Sequence, residues 1–351
     1  MGAERSEGNP GGIGEEIPTA TSSVADIRPR FARPPPRPSP GFAGRGGTKR
    51  FQSSGTRSNG AQDDDALTLP SLNLLLQSIL SGVFLGGLYG MIGLGLGLSW
   101  GLLRQINLSH FGFVFLSAYL CYQMATVGGV DPLLTLLILP PAFFLIGAAM
   151  QWGLAHFRIT PFTSLLVTFG ITVMLESLIQ LGWTADFRRM ASHYAERKFI
   201  IGGLFLPVPE LITLGLALIL AFAVWAALRF TDLGRAMRAM SEDAPIAAAF
   251  GINQKALSLV LSGVCLALAA VAGICLALTF TLTPTQIFAW VGVVFAAVML
   301  GGLGSALGPL AAGVIIGVSE AVTMVVAAPS WAPIVSFSLL ILMLLFRPGK
   351  A

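Results

Sequence analysis

The sequence predicts an all-α, polytopic membrane protein of about 8–10 transmembrane helices, preceded by a disordered N-terminal tail. Three observations lead there. Of 351 residues, 54% are hydrophobic and only 11% charged, with a mean hydropathy of +0.78, whereas ordinary globular domains carry about 25% charge. Glycine is abundant, at 41 residues, as it is in membrane helices, where small side chains let backbones approach closely. The apolar residues gather in blocks of about the 20 residues a spanning helix needs. The net charge of +4 is modest, and its arginines sit in the tail and loops without interleaved aromatics, which argues against nucleic-acid binding. Cys121, Cys265 and Cys275 all lie in apolar blocks without ligand-like spacing, so they read as packing residues, and neither a disulfide framework nor a metal site follows.

Residues 1–69 are a different material. Pro, Gly, Ser and Arg dominate, RPRFARPPPRPSP is polyproline-like, and Asp63 to Asp65 close the stretch. Such a composition cannot bury a core and predicts disorder. No apolar h-region occurs in it, against a cleaved secretory signal. It is either a regulatory tail or the product of a start placed upstream of the true one. Residues 70–351 form the transmembrane domain.

That domain opens with Leu72–Leu103, which carries no charge at all. It is either one long tilted helix or two pieces broken at glycines. Gly86 and Gly90, then Gly93, Gly97 and Gly101, fall at four-residue spacing, which puts small residues on one helix face for close packing. No strand precedes this Gly-Leu run, so it is not a nucleotide-binding fingerprint. Arg104 leads into QINLSHFGF, where Asn107 and His110 lie between apolar runs. Polar groups in a bilayer must find partners, so this stretch lines a pathway, holds a helix break or forms an interfacial turn.

Leu133 to Ala155 is the next apolar block, and Pro161 opens another that carries Glu176 near its centre. A carboxylate there costs about 2.5–3.5 kcal/mol on insertion scales, so it should face protein or water. Thr184 to Lys198 is a polar loop, and Leu211 to Leu228 spans again. The segment from Arg229 to Lys255 then interrupts the apolar blocks with charge: Arg235, Arg238, Glu242, Asp243. Asp243 suits an N-cap, Pro245 a first helical turn, and Gly251 the left-handed residue beyond a last turn. Two short helices outside the bilayer follow from that.

Further apolar blocks run over Leu257 to Phe280, Phe288 to Leu300, Leu307 to Ala328 and Pro333 to Phe346. A second small-residue pattern, GGLGSALGPLAAGVIIGVSEAV, contains Gly304, Gly308, Gly313 and Gly317, and carries Glu320. Two glycine-interrupted segments, one near each end, are a weak sign of an internal repeat around a midplane pathway. Arg104, Arg158, the Arg229–Lys255 loop and the Arg347 tail can share one side, which the excess of basic residues marks as cytoplasmic. Arg188, Arg189, Arg197 and Lys198 then fall outside, against the rule.

Four stretches make the chain resemble the permease subunits of ATP-binding-cassette importers for branched-chain amino acids. They are GGLYGMIGLGLGLSWG followed by INLSHFG, LGRAMRAMSEDAPIAAAFGIN, AVMLGGLGSALGPLAAGVIIGVSEA, and LLFRPGK. The resemblance covers about Leu74 to Gly349, and it departs from the family pattern where Phe111 separates His110 from Gly112. It implies a non-catalytic permease domain over 70–351 in a bacterial inner membrane, with a cytoplasmic ATPase-docking loop at 231–255 built on Leu233, Gly234, Arg235, Arg238, Glu242, Asp243, Pro245 and Gly251. It also implies the partners: ATPase subunits that hydrolyse ATP elsewhere, a second related permease, and a periplasmic or extracellular solute-binding protein. Relatives of the same family import urea or short amides. No G-x-x-x-x-G-K-[ST] stretch occurs, so no P-loop nucleotide site and no cofactor is expected on this chain. The rival class is an ion-coupled secondary transporter using Glu176 and Glu320.

Overall fold

The computed structural model describes residues 71–157, 159–194, 197–327 and 329–346; the expected tail at 1–69, Arg158, Arg347 and Lys350 lie outside them. Helix α1 runs unbroken over Leu72–Leu103, 32 residues, with Ser71 as N-cap. The alternative of two pieces is thereby decided, because the glycines that suggested a break are packing positions. Ten further helices follow: α2 (Ser109–Thr126), α3 (Thr135–His156), α4 (Pro161–Trp183), α5 (Val208–Phe230), α6 (Asp232–Glu242), α7 (Ala244–Ala249), α8 (Gln254–Thr279), α9 (Ile287–Gly301), α10 (Gly308–Val326) and α11 (Ala332–Phe346). Among the described residues, seven helices are long and apolar enough to cross a membrane, and the apolar α2 and α11 bring the number of long helices to nine. The chain is an all-helical, multi-pass membrane protein.

Two of these helices are central. The apolar windows of α1 and α8 are 72% and 78% buried, whereas those of α3, α4 and α5 are 22%, 28% and 17% buried. The outer helices therefore keep apolar faces such as Leu137 and Leu145 on α3, Leu178 and Leu181 on α4, and Ile219 and Phe222 on α5 exposed. Outside a bilayer such surface would be costly; facing lipid or another subunit it is the natural solvent boundary.

The seam between α1 and α10 is made of glycine. The two helices run antiparallel, with Gly82 beside Gly317, Gly86 beside Gly313 and Gly90 beside Leu310. A Cβ on Gly86 would lie 2.4 Å from the Gly313 carbonyl oxygen, so backbone rests on backbone. Four-residue steps drift about 40° around a helix; the three-residue step from Gly90 to Gly93 turns the stripe back. Gly93 and Gly97 then meet Val298 of α9 and Pro309, and Gly101 abuts Gly304. Gly304 and Gly308 also pack closely, at the entry to α10. Gly304 lies in the turn before α10, with its N–H donating to the Gly97 carbonyl, and Gly308 is the first residue of α10, against the Gly301 carbonyl.

On the other flank, α8 packs against α2 and α3. Ser117 donates to the Ala270 carbonyl at 2.8 Å, and Gly147 of α3 sits against the Ser262 carbonyl. Helix α4 is fastened to α2 by Trp183 Nε1, which donates to Gln123 Oε1 at 2.9 Å.

One element went unanticipated. Strands β1 (Lys198–Ile201) and β2 (Leu204–Pro207) form an antiparallel hairpin. Gly202 and Gly203, with φ of 59° and 85°, supply the two left-handed residues a type I′ connection demands. The backbone of Phe205 is held by both ends of the Gln77 amide, at 3.0 and 2.8 Å, so the hairpin sits at the N-terminal end of α1. Nearby, Tyr194 donates to Asp131 Oδ2 at 2.9 Å, and that bond raises the phenol above its ordinary pKa.

Candidate functional site

At the opposite end of α1 lies the loop formed by α6 and α7. Thr231 caps α6, its Oγ1 accepting from the Gly234 N–H at 3.1 Å, and Asp232 occupies the first turn, where a negative charge suits the helix dipole. Gly234 and Met237 face inward. Gly234 cannot carry a side chain, since a Cβ would lie 2.4 Å from Leu228 Cα. Arg235 and Arg238 point to solvent, and Arg235 pairs with Asp232.

The turn into α7 follows its local chemistry. Asp243 Oδ1 accepts from the Ile246 N–H at 3.0 Å, Pro245 stands in the first turn, and Gly251 closes the helix at φ 86°. The Gly251 N–H then reaches the Ala248 carbonyl and the Ile252 N–H the Ala247 carbonyl, which satisfies helix-end acceptors as left-handed C-caps do. Asn253 caps α8 immediately afterwards, accepting from Ala256. Glu242 is exposed, as are three apolar side chains: Leu233 (55%), Ile246 (56%) and Phe250 (85%). Beneath the loop is a cavity of about 570 Å³, walled by Leu103, Arg104, Gln151, Glu242, Gln254 and Lys255.

The four polar residues proposed for a pathway or helix break lie elsewhere, Asn107 and His110 together at the start of α2, Glu176 on α4 and Glu320 on α10, and none lines that cavity. Asn107 is buried, its Oδ1 accepting from Ser109 Oγ at 2.5 Å. His110 is inside α2, fully covered, with Nε2 at 3.0 Å from the Ile92 carbonyl oxygen and its ring against Gly95. Ile92 precedes the end of α1 by about three turns, so α2 begins well inside the depth of α1. The groups around that start are partnered: Leu108 N–H donates to Thr168 Oγ1 at 3.1 Å, and the amides of His110 and Phe111 reach Asn107 and Leu108 carbonyls. Glu176, half-buried on α4, accepts from Gln180 Nε2 at 3.2 Å.

Glu320 is buried between three helices. Tyr89 of α1 donates to its Oε2 at 2.9 Å, and Ser336 of α11 donates to Oε1. The carboxylate therefore stitches α10 to both neighbours. Glu320→Leu, which leaves the Tyr89 hydroxyl without this partner and Ser336 Oγ with only the Ala332 carbonyl at 3.4 Å, is expected to lower stability by about 1–3 kcal/mol, read as the unfolding midpoint in detergent. Glu320→Gln keeps a hydrogen-bonding group on both sides and is expected to remain near wild type in that midpoint and in uptake. Tyr89 and Ser336 carried no special signal in the sequence, and Arg104 only that of a basic residue at the end of a span, because each draws its role from a partner distant along the chain.

Antiparallel glycine-seamed helices, lipid-sized apolar faces and a capped helical loop at one end define a multi-pass membrane protein. The family comparison makes this specific: residues 78–344 match the model of the branched-chain amino acid transport system permease component, and the chain belongs to that family. It is 25% identical over 296 residues to the high-affinity branched-chain amino acid transport system permease protein BraD of Pseudomonas aeruginosa, covering 80% of this chain and 96% of that protein. To the permease protein LivH of the corresponding systems it is 28% identical in Salmonella typhimurium and 26% in Escherichia coli, each over 293 residues, 78% of this chain and 94% of the relative. No solved structure matches the chain.

Proposed function

We propose that this chain is the permease subunit of an ATP-binding-cassette importer in a bacterial inner membrane, forming part of the pathway for branched-chain or other hydrophobic amino acids. The observation that carries the reading is the α6–α7 loop, two short capped helices that present Leu233, Ile246 and Phe250 to solvent at the Arg104 end of α1. On this reading that end is cytoplasmic, a separate ATPase grips the loop through its apolar side chains and Arg235 and Arg238, and ATP-driven closure of the ATPases moves it. A second permease covers exposed apolar helix faces, and a solute-binding protein delivers the amino acid to the hairpin end. The names of the relatives, which are branched-chain amino acid permeases, support the substrate class. Coupling through Glu176 or Glu320 gains nothing from the geometry, since Gln180 holds the first and Tyr89 and Ser336 the second.

The test is radiolabelled leucine uptake, with urea as the comparison, in cells producing this chain with its ATPase, second permease and binding protein. Leucine uptake that disappears on inactivation of the ATPase is the expected result. Urea uptake in its place would keep the mechanism and replace the substrate, and leucine uptake that persists without an ATPase would overturn the reading.

A further inference from the structure

We propose that Arg104 is the positioning residue that transmits movement of the α6–α7 loop to α1, an inference that rests on the docking role proposed above. Arg104 follows the last residue of α1 and is a non-glycine residue at φ 53°. That conformation is disfavoured for an L-residue, and glycine is the usual occupant of such a helix end. What the arginine gains is reach. Its guanidinium Nη2 donates to the Ser241 carbonyl at 2.7 Å and lies 3.4 Å from that of Glu242.

Those carbonyls belong to the final turn of α6, where acceptors lack intrahelical partners and the helix dipole is negative. The guanidinium answers both requirements, since it is a fixed cation whose Nη2 faces both carbonyls. The loop is otherwise tied to the bundle beside its own flanking helices: Gly234 lies against Leu228 of α5, and the Gln254 side chain of α8 donates to the Ala244 carbonyl. Where α6 also packs against α1, Arg104 adds, among the described residues, a side-chain hydrogen bond to this central helix distant in sequence.

From Arg104 a displacement has a stiff route. Helix α1 is continuous, seamed to α10 by Gly86 and Gly313 and joined to Glu320 by Tyr89. The cavity of about 570 Å³ that Arg104 lines gives the loop room to move against it. Packed helices of this kind shift as units rather than deform.

The link is solvent-exposed, so its loss should cost the fold little, and the informative readout is coupling. The experiment measures leucine transported per ATP hydrolysed by the complete complex, with its ATPase, second permease and binding protein, in proteoliposomes. Arg104→Gly removes the guanidinium while suiting φ 53°, and Arg104→Lys keeps the charge without the fork. Arg104→Gly is expected to lower the transport-to-hydrolysis ratio about fivefold, the scale of one exposed charge-assisted contact, with assembly and basal hydrolysis unchanged. Arg104→Lys is expected to fall between. A wild-type ratio in Arg104→Gly overturns the proposal, as does a loss of assembled complex that accounts for all the lost transport. Failure of the wild-type complex to couple uptake of either leucine or urea to ATP hydrolysis would instead overturn the docking role on which the proposal rests.

Discussion

The double substitution Ile246→Asp, Phe250→Asp is expected to abolish ATP-driven leucine uptake while leaving the amount of membrane-inserted protein unchanged. Both side chains are more than half exposed, so the new carboxylates enter water and add no buried charge. The capping bonds of α7 come from Asp243 and from the Gly251 and Ile252 amides, none of which the substitutions touch. What changes is the surface a partner would bury. Two apolar anchors of about 2 kcal/mol each correspond to roughly a thousandfold weaker binding, and the desolvated aspartates add to that. Co-purification of the ATPase with this chain gives a direct second readout, expected to vanish in step with uptake.

Two further variants approach the same surface by different physics. Gly251→Pro cannot reach φ 86°, because proline is fixed near −65° and lacks the N–H that meets the Ala248 carbonyl. Arg235→Glu places a second acid beside Asp232 on an exposed helix face. Each is expected to remove transport with insertion intact; normal uptake in all three would dismiss the loop as the docking surface.

This loop was readable in the sequence because its determinants are local. Asp243, Pro245 and Gly251 each act within a few residues of themselves, and the structure has the cap, the first turn and the left-handed closure where the residue types suit them. The long spans were readable for a similar reason, since composition alone sets where a chain prefers lipid. What escaped depends on distance. The glycine stripe of Leu72–Leu103 fitted either a broken helix or a packed one, and only α10, more than 200 residues later, decides between them. Glu320 was visible as a carboxylate in an apolar run, but its partner Tyr89 is 231 residues away. Arg104 gave no sign of its bond to Ser241, 137 residues on. The hairpin was missed although Gly202 and Gly203 between short apolar runs are a hairpin signal, because the stretch falls between the polar loop ending at Lys198 and the span opening at Leu211.

The glycine seam supports the other large expected effect. Gly86→Leu should leave little folded protein, read as monodisperse yield and unfolding midpoint in detergent. A Cβ at Gly86 lies 2.4 Å from both the Gly313 carbonyl oxygen and Val314 Cα, and one at Gly313 lies 2.5 Å from the Gly86 oxygen. These are backbone atoms of two long helices, so no side-chain rotation relieves the overlap; the helices themselves must separate. Even Gly86→Ala should cost about 1–3 kcal/mol, overriding the roughly 1 kcal/mol that alanine gains over glycine in a helix. Gly153 supplies the control. It lies within α3 with nothing inside 4 Å of its would-be Cβ, so Gly153→Ala should be neutral or stabilising. If Gly86→Leu matched the wild-type midpoint, the seam could not be in contact. Within a bilayer, separated helices gain no hydrophobic penalty that would push them back together. Contact between α1 and α10 therefore rests on the closeness that glycine permits, and the same closeness lets Tyr89 reach Glu320.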